Sequence, residues 1–466
     1  MRLGLGFSLR NRAGLAGGGT PPDPFASAIL RIESDFGGLT TGAVPATFLS
    51  PLAARLNQGT GASNATQSTG INQPTYLGLI DGEGYAYSSG VDGNGFQVSP
   101  DPDLNITQDI EIRVRLMWTR GQIYQCAVGM DDGDTKRKFD FSPESAVSNV
   151  PGIEVFRAST GYANITADAA ITLPADSMGW LAVKCSPANN LVQFFESVDG
   201  VSWDQIGSDQ AFGDVTGFAP NDAILEFGAR SLSDVVALQA AFSRVQIFAS
   251  IDGSDLRFDW DASTLTRADL HAPSTVATTG QIVTAVKTGN NPATFIPRPV
   301  DRYDGIQQYL RGTYDAALTG ARVFAVVHFL GDGGQAYGRV FGSGNGGEDY
   351  TAGSFMILRN NVGTVASAHQ QSFRISDPDG YQGSRIFEYL LDPVSGSISF
   401  WVNGELIGTS VYAFTLDPTE YAIANRYSEG DPQAHAAIDV EAILVFPPDA
   451  DPEPIRAAII AKYPLP

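Results

Sequence analysis

The chain carries an echo of itself. Leu30 to Asp35 reads Leu-Arg-Ile-Glu-Ser-Asp, and Leu256 to Asp261 reads Leu-Arg-Phe-Asp-Trp-Asp. The shared pattern is Leu-Arg-apolar-acid-x-Asp, and each copy is followed by a stretch of similar length. Long-range self-similarity of this kind points to one fold used twice. With 466 residues the chain also exceeds the size at which a single core keeps growing, so two domains of about 200 residues are expected. The reading places an arm and linker at 1–24, a first domain at 25–250 and a second at 251–466. Only Ser250 to Ser254 remains as slack at the seam, so the two domains should sit close and move little.

Composition selects the type of fold. Charged residues are 17% of the chain, while 51 glycines and 27 prolines are spread through it, a profile of many strands joined by turns. The clearest period-2 signal is Ile106 to Trp118: Ile110, Ile112, Val114, Leu116 and Trp118 fall on one face, Glu111, Arg113 and Arg115 on the other. Ala321 to Leu330 takes the same place in the second half. Asp199-Gly200 and Asn403-Gly404 are hairpin dipeptides at matching positions. Phe242 to Ala249 and Ile438 to Phe446 match as closing strands. Only the second half ends in a helix, Asp451 to Tyr463, where Ile455, Ala458, Ile459 and Tyr463 share a face and Pro464 stops the chain from continuing it. The fold class is all-β: two tandem antiparallel sandwiches with a short C-terminal helix.

Charge removes one class of function. Against 51 acidic residues stand 29 basic ones, a net of −22, which repels a phosphate backbone, so nucleic acid is not an expected partner. No apolar run is long enough for a membrane-spanning helix. The first residues are basic, but Gly4 and Gly6 break their apolar run, and the pattern is not read as a signal peptide. Cys126 and Cys185 sit in apolar strands and read as separate small hydrophobes, a disulfide between them being left open. The arm alternates Arg2, Leu3, Leu5, Phe7, Leu9 and Arg10 before a Gly- and Pro-rich linker. It reads either as a disordered terminus or as a docking tag that adds a strand to another protein.

The strand, Asn-Gly turn and strand of Ile398 to Thr409, followed by Tyr421 to Arg426, Asp439 to Phe446 and the closing helix, resemble a concanavalin A-like lectin/glucanase (laminin G-like) domain. Phe194 to Trp203 is similar to the hairpin of such domains. The arm Met1 to Leu9 resembles the arms of small virion proteins in tailed phages and gene transfer agents. Together these resemblances imply a virion structural protein, a head or tail spike or fibre component. It would dock to other virion proteins through the arm and present lectin-like domains to host surface polysaccharide. Oligomerisation with itself is left open. The alternatives are a polysaccharide hydrolase or a secreted carbohydrate-binding adhesion protein.

No catalytic residues are assigned. A retaining glycosidase needs two carboxylates about 5 Å apart; the nearest matches to the glucanase pattern are Glu33 with Asp35 and Asp259 with Asp261, and Gly38 and Thr264 stand where a third acid belongs. These acids read as solvated or turn-capping. No cofactor is required, although laminin G-like domains often hold calcium, and Asp131, Asp132 and Asp134 around Gly133 form the densest oxygen cluster without the spacing of an EF-hand loop. For sugar, aromatic rings in polar loops are the expected platform, with amides reading hydroxyls. The candidates are Tyr337, Asn345, Tyr350, Tyr381 and Tyr427. His328, inside an apolar strand, reads as a satisfied residue at the edge of the core.

Overall fold

The computed structural model describes residues 23–465 except 42, 47–48, 71–72, 81, 91–93, 122–123, 132–136, 146–148, 175–176, 231–235, 267–268, 287–292, 335–336, 346–352, 360–365, 371–372, 412 and 426–433. The docking arm (Arg2, Leu3, Leu5, Phe7, Leu9, Arg10), Asp132, Asp134, Tyr350 and Tyr427 lie outside the described residues.

The structure is predominantly antiparallel β-sheet with a short C-terminal helix, and its sheets stack in pairs around two main cores. One front sheet orders its strands Asp204–Gln205, Leu191–Ser197, Gly179–Ser186, Ile110–Trp118, Gln239–Phe248, Tyr85–Ser89 and Thr294–Ile296. The other orders them Glu405–Val411, Ser397–Val402, Ser384–Asp392, Ala321–Gly334, Ala436–Phe446, Val300–Asp304 and Thr75–Leu77. These orders correspond strand for strand, so the correspondence of the two halves runs through the whole front sheet. Both cores draw on two sheets. Ile112 and Val114 of the first front sheet share a core with Phe139, Phe141 and Val155 of the facing sheet. Val323, Ala325 and Val445 share the second core with Phe341, Phe355 and Ile357.

The division between the two sandwiches differs from the expected one at residue 251. Leu256–Asp261 does not open the second sandwich. It pairs with Gln239–Phe248 of the first, with Phe258 opposite Ile247 and Trp260 opposite Val245, and Phe258 and Trp260 are in the first core. Residues 250–254 are the turn of a hairpin: Ser250 Oγ accepts from Ser254 N and Asp255 N at 3.0 and 3.1 Å, and Gly253 takes φ +71°. Ile282–Val286 and Thr294–Ile296 complete the first sandwich by pairing with Gly95–Val98 and Tyr85–Ser89.

Reciprocally, Leu30–Glu33 pairs with Ala436–Phe446, and Thr75–Leu77 pairs with Val300–Asp304. The first sandwich, running from Tyr85 to Ile296, is thus inserted into a host sandwich built from the residues before and after it. The physical reason is locality. A strand that follows another through a tight turn closes a short loop and pairs with it at little entropic cost. Leu30–Glu33 has no described strand before it, and it occupies the matching berth on the other repeat.

The segments around the special residues follow local chemistry. Asn403 and Gly404 have φ +53° and +84°, the paired positive values of a type I′ hairpin turn. The helix is Pro452–Lys462, capped by the Asp451 carboxylate accepting from Glu453 N at 3.1 Å. Ile455, Ile459 and Tyr463 cover Phe324, Ala442, Leu444 and Phe446 on the outer side of the host front sheet. Ala436–Phe446 is therefore buried along both faces, where the sequence suggests alternation. The equivalent strand Gln239–Phe248 carries Arg244 and Gln246 outward and only partly buried. Cys126 and Cys185 are both buried and are not joined in a disulfide.

Candidate functional site

The two sandwiches meet where the chain crosses between them, on either side of residue 81 and again at 297–299. Leu77 and Val300 from the host pack with Tyr85, Tyr87, Met117, Leu270 and Ile296 of the inserted sandwich. Beside this apolar patch lies a buried polar cluster. Arg302 and Asp439 are register partners on adjacent strands, and the guanidinium clasps the carboxylate through Nε and Nη2 at 2.9 and 2.7 Å. Arg302 Nη2 also donates to Thr294 Oγ1 at 3.1 Å, and its head lies 5.3 Å from the centre of the Tyr87 ring. Both contacts reach into the inserted sandwich. Burial pushes the Asp439 carboxyl up, but the Arg302 charge and its hydrogen bonds, with His271, override that and hold it down at about 2. An ion pair this deeply buried is tolerated because each partner is hydrogen-bonded as well as charged.

A cavity of about 290 Å³ opens beside this cluster. Leu49, Thr75, Arg302, Asp304 and Gln308 line it from the host; Tyr87, Thr119 and Gln239 line it from the inserted sandwich. Its polar groups are held by each other. Thr119 Oγ1 donates to Gln239 Oε1 at 2.8 Å, Gln239 Nε2 reaches Tyr87 Oη at 3.4 Å, and Gln308 Oε1 accepts from Asp304 N at 2.9 Å. The Asp304 carboxylate caps its own turn, accepting from the backbone of Ile306, Gln307 and Gln308 at 2.8–3.2 Å. The wall therefore offers amides, hydroxyls, a phenol and one anchored guanidinium. Domain interfaces are a preferred place for sites of this kind.

Two other hollows are less suited to a polar ligand. A groove of about 470 Å³ runs over Leu104, Met130 and Leu225. Its rim acid Asp101 is committed, accepting from Asp103 N at 2.9 Å and Gln281 Nε2 at 2.7 Å. A hollow of about 200 Å³ beneath the helix is mostly apolar, with Phe324, Ile386, Ile459 and Tyr463 in its wall.

The residues singled out from sequence are not gathered into one site. Tyr381 is buried at 3% exposure, its ring 3.8 Å from that of Phe329 and its hydroxyl donating to Gly338 O at 3.4 Å. It is a core residue and cannot stack on a sugar, a correction to the expectation drawn from its polar neighbours. Tyr337 is exposed, with φ +60°. Asn345 is exposed and donates to Asp417 Oδ2 at 3.1 Å. These two flank the strand Arg339–Gly344 at opposite ends, about 20 Å apart. Asp131, the described member of the calcium candidate, is buried against Arg137 Nε at 3.1 Å. Among the described residues no group of His, Cys, Asp and Glu is arranged to hold a metal ion.

The acids weighed for hydrolysis are also occupied. Glu33 accepts from Tyr463 Oη at 2.6 Å and Arg31 Nε at 2.8 Å and pairs with Lys462. Burial raises its carboxyl, but these partners hold it below the usual carboxylate range. Asp259 is clasped by Arg244 at 2.8 and 2.7 Å. Neither copy of the acidic pattern offers a free nucleophile; Glu33 ties its strand to the C-terminal helix, and Asp259 ties its strand to the neighbouring Gln239–Phe248. Sequence reasoning passed over Arg302, Gln239 and Gln308. The one signal available was a lone arginine in the run Val300–Asp304, which gives no hint of the partner far along the chain.

No protein-family model matches the chain, and no curated protein matches it. Among solved structures, domains LG4–5 of the mouse laminin alpha1 chain align over 81% of this chain and 98% of theirs at 10% identity, with a TM-score of 0.30. The CBM40 module of the Ruminococcus gnavus IT-sialidase, in complex with alpha2,3 sialyllactose, aligns over 29% of this chain and 77% of its own at 17% identity, with a TM-score of 0.25. At these scores the likenesses carry no weight for ligand or activity.

Proposed function

We propose that this protein binds carbohydrate without transforming it, and that a sugar unit seats in the junction cavity. The observation that carries the reading is the wall of that cavity. Amides and hydroxyls from both sandwiches converge beside a guanidinium fixed by Asp439, the donor and acceptor set that reads a polyhydroxylated ring. The acidic pairs that could have argued for hydrolysis are each locked to a cation, which supports a binding role. In this reading the two sandwiches are concanavalin A-like jelly rolls, displayed at an exposed surface.

The test is a glycan array with the wild type and with the Gln239→Leu, Gln308→Leu double variant. Binding by the wild type that falls by about tenfold or more in the variant supports the cavity, since each lost hydrogen bond in a desolvated site weakens binding by about 0.5–1.5 kcal/mol. Equal binding by both proteins removes the cavity from the account.

The setting proposed is a virion spike or fibre that attaches to host surface polysaccharide, with the arm Arg2, Leu3, Leu5, Phe7, Leu9 and Arg10 docking to other virion proteins. Removal of residues 1–20 should then abolish incorporation into particles and leave sugar binding intact. Normal incorporation of the truncated chain would dismiss the docking role.

A further inference from the structure

His271 and His328 come from different sandwiches and lie face to face. Their ring centroids are 3.4 Å apart and their planes 8° from parallel. His271 belongs to the inserted sandwich, on the loop between Leu256–Asp261 and Ser274–Val276, and its backbone sits at φ +60°. That left-handed conformation is unfavourable for a residue with a Cβ, so the surrounding fold holds this ring in place against a local preference. His328 belongs to the host strand Ala321–Gly334 and stands beside Asp439 in register. Both rings are more than nine-tenths buried.

His271 Nε2 lies 2.9 Å from Asp439 Oδ2, the carboxylate that also holds Arg302. His328 Nδ1 shares a hydrogen bond of 2.7 Å with Ser384 Oγ, and Arg385, next in the chain, donates to Ser384 O at 2.9 Å. From the inserted sandwich Tyr87 faces Arg302. Asp301, also on the Val300–Asp304 strand, is paired with Arg55. With both rings neutral, Arg302 and Asp439 balance. A first proton is accommodated on His271, which then faces Asp439. A second, on His328, places two cations in ring contact beside the Arg302 guanidinium that Asp439 already holds.

We propose that the stacked imidazoles of His271 and His328 form an acid-released latch between the two sandwiches, closed while no more than one of them is protonated and opened when both are. The second proton binds the open junction more readily than the closed one, so falling pH opens it. Because Asp439 links His271 to Arg302 in the cavity wall, opening also loosens the site; that consequence rests on the carbohydrate reading, whereas the latch does not.

The chain has four histidines, few enough for their imidazole signals to be followed one by one by NMR after selective labelling. The expected result is two coupled steps for the stacked pair, the second at least about one unit below the ordinary histidine value of about 6.5. Amide exchange in Thr294–Ile296 and Val300–Asp304, corrected for its intrinsic pH dependence, should quicken by about tenfold across that second step, one unit of displaced protonation being a tenfold change in an equilibrium. His328→Phe keeps a stacked ring that cannot take a proton, and it should exchange as slowly at pH 5 as at pH 7.5. A single undisplaced step in the wild type overturns the latch, whether or not the variant folds. So does a folded His328→Phe that opens in acid as the wild type does. Glycan captured at neutral pH should be released over the same step. Opening without release would sink the link to the cavity alone, and a chain that opens in acid but captures no glycan at any pH would sink the carbohydrate reading while upholding the latch.

Discussion

Leu30 lies directly opposite Val445 in the host front sheet, as Leu256 lies opposite Phe248 in the inserted one. The two leucines open the two copies of the repeated motif. Each motif occupies the same berth beside a closing strand, but the first copy reaches nearly the whole length of the chain to do so. The repeat is therefore real, and the boundary it suggests is not where the sandwiches separate.

That exchange predicts which fragments fold. Residues 83–297 contain every described strand of the inserted sandwich and should give a soluble domain with one cooperative unfolding transition followed by circular dichroism. Residues 25–250 lack Leu256–Asp261 and Thr294–Ile296, leave Val245 and Ile247 without their cover, and should aggregate or unfold non-cooperatively. Equal behaviour of the two fragments would contradict the described pairing.

Asp439→Asn should destabilise the protein by about 3–5 kcal/mol at neutral pH, because Arg302 keeps its buried charge and loses its counter-ion. The pH dependence has a definite sign. The Asp439 carboxyl is held at about 2 in the folded state against an ordinary value of 3.8, so its stabilisation is complete above about 4 and is lost as pH falls toward 2. Denaturant titrations between pH 4 and 2 should show the wild type losing roughly 1.5–2 kcal/mol more than the variant across that window.

Tyr337→Ala and Gln239→Leu separate two places where a sugar could be read. Tyr337 is exposed and does not line the junction cavity, so its loss should leave the affinity measured by calorimetry within about twofold. Gln239 bridges Thr119 and Tyr87, and its loss should reduce affinity by about three- to tenfold, the worth of one hydrogen bond. The reverse ranking would move the site to the loop at Tyr337.

The two thiols should be silent in the native protein. Both are buried and outside any disulfide, and burial pushes the Cys185 thiol up, so little reactive thiolate is available. A colorimetric thiol reagent should count none in buffer and two in denaturant, and a reductant should leave the melting temperature unchanged. Prompt labelling of the folded chain would contradict the burial.

Local pattern carried the sequence a long way. Alternation over Ile110 to Trp118 gave the strand and its inward face, Asn403-Gly404 gave a hairpin turn, and Asp451 with the apolar spacing of Ile455 and Ile459 gave the helix, because each depends on neighbours in the chain. The shared motif likewise revealed two copies of one strand order. What only the tertiary structure decided is which copy's sheet each motif joins, since equivalent berths on two repeats present the same hydrophobic pattern and only chain connectivity and turn closure distinguish them. The same holds for the junction. Arg302 meets Asp439, and His271 meets His328, through distant strands brought into register. Tyr381, in a loop that reads as polar, is buried because Phe329 arrives from another strand. Periodicity reports which face of an element is apolar; it does not report what that face, or the polar one behind it, will touch.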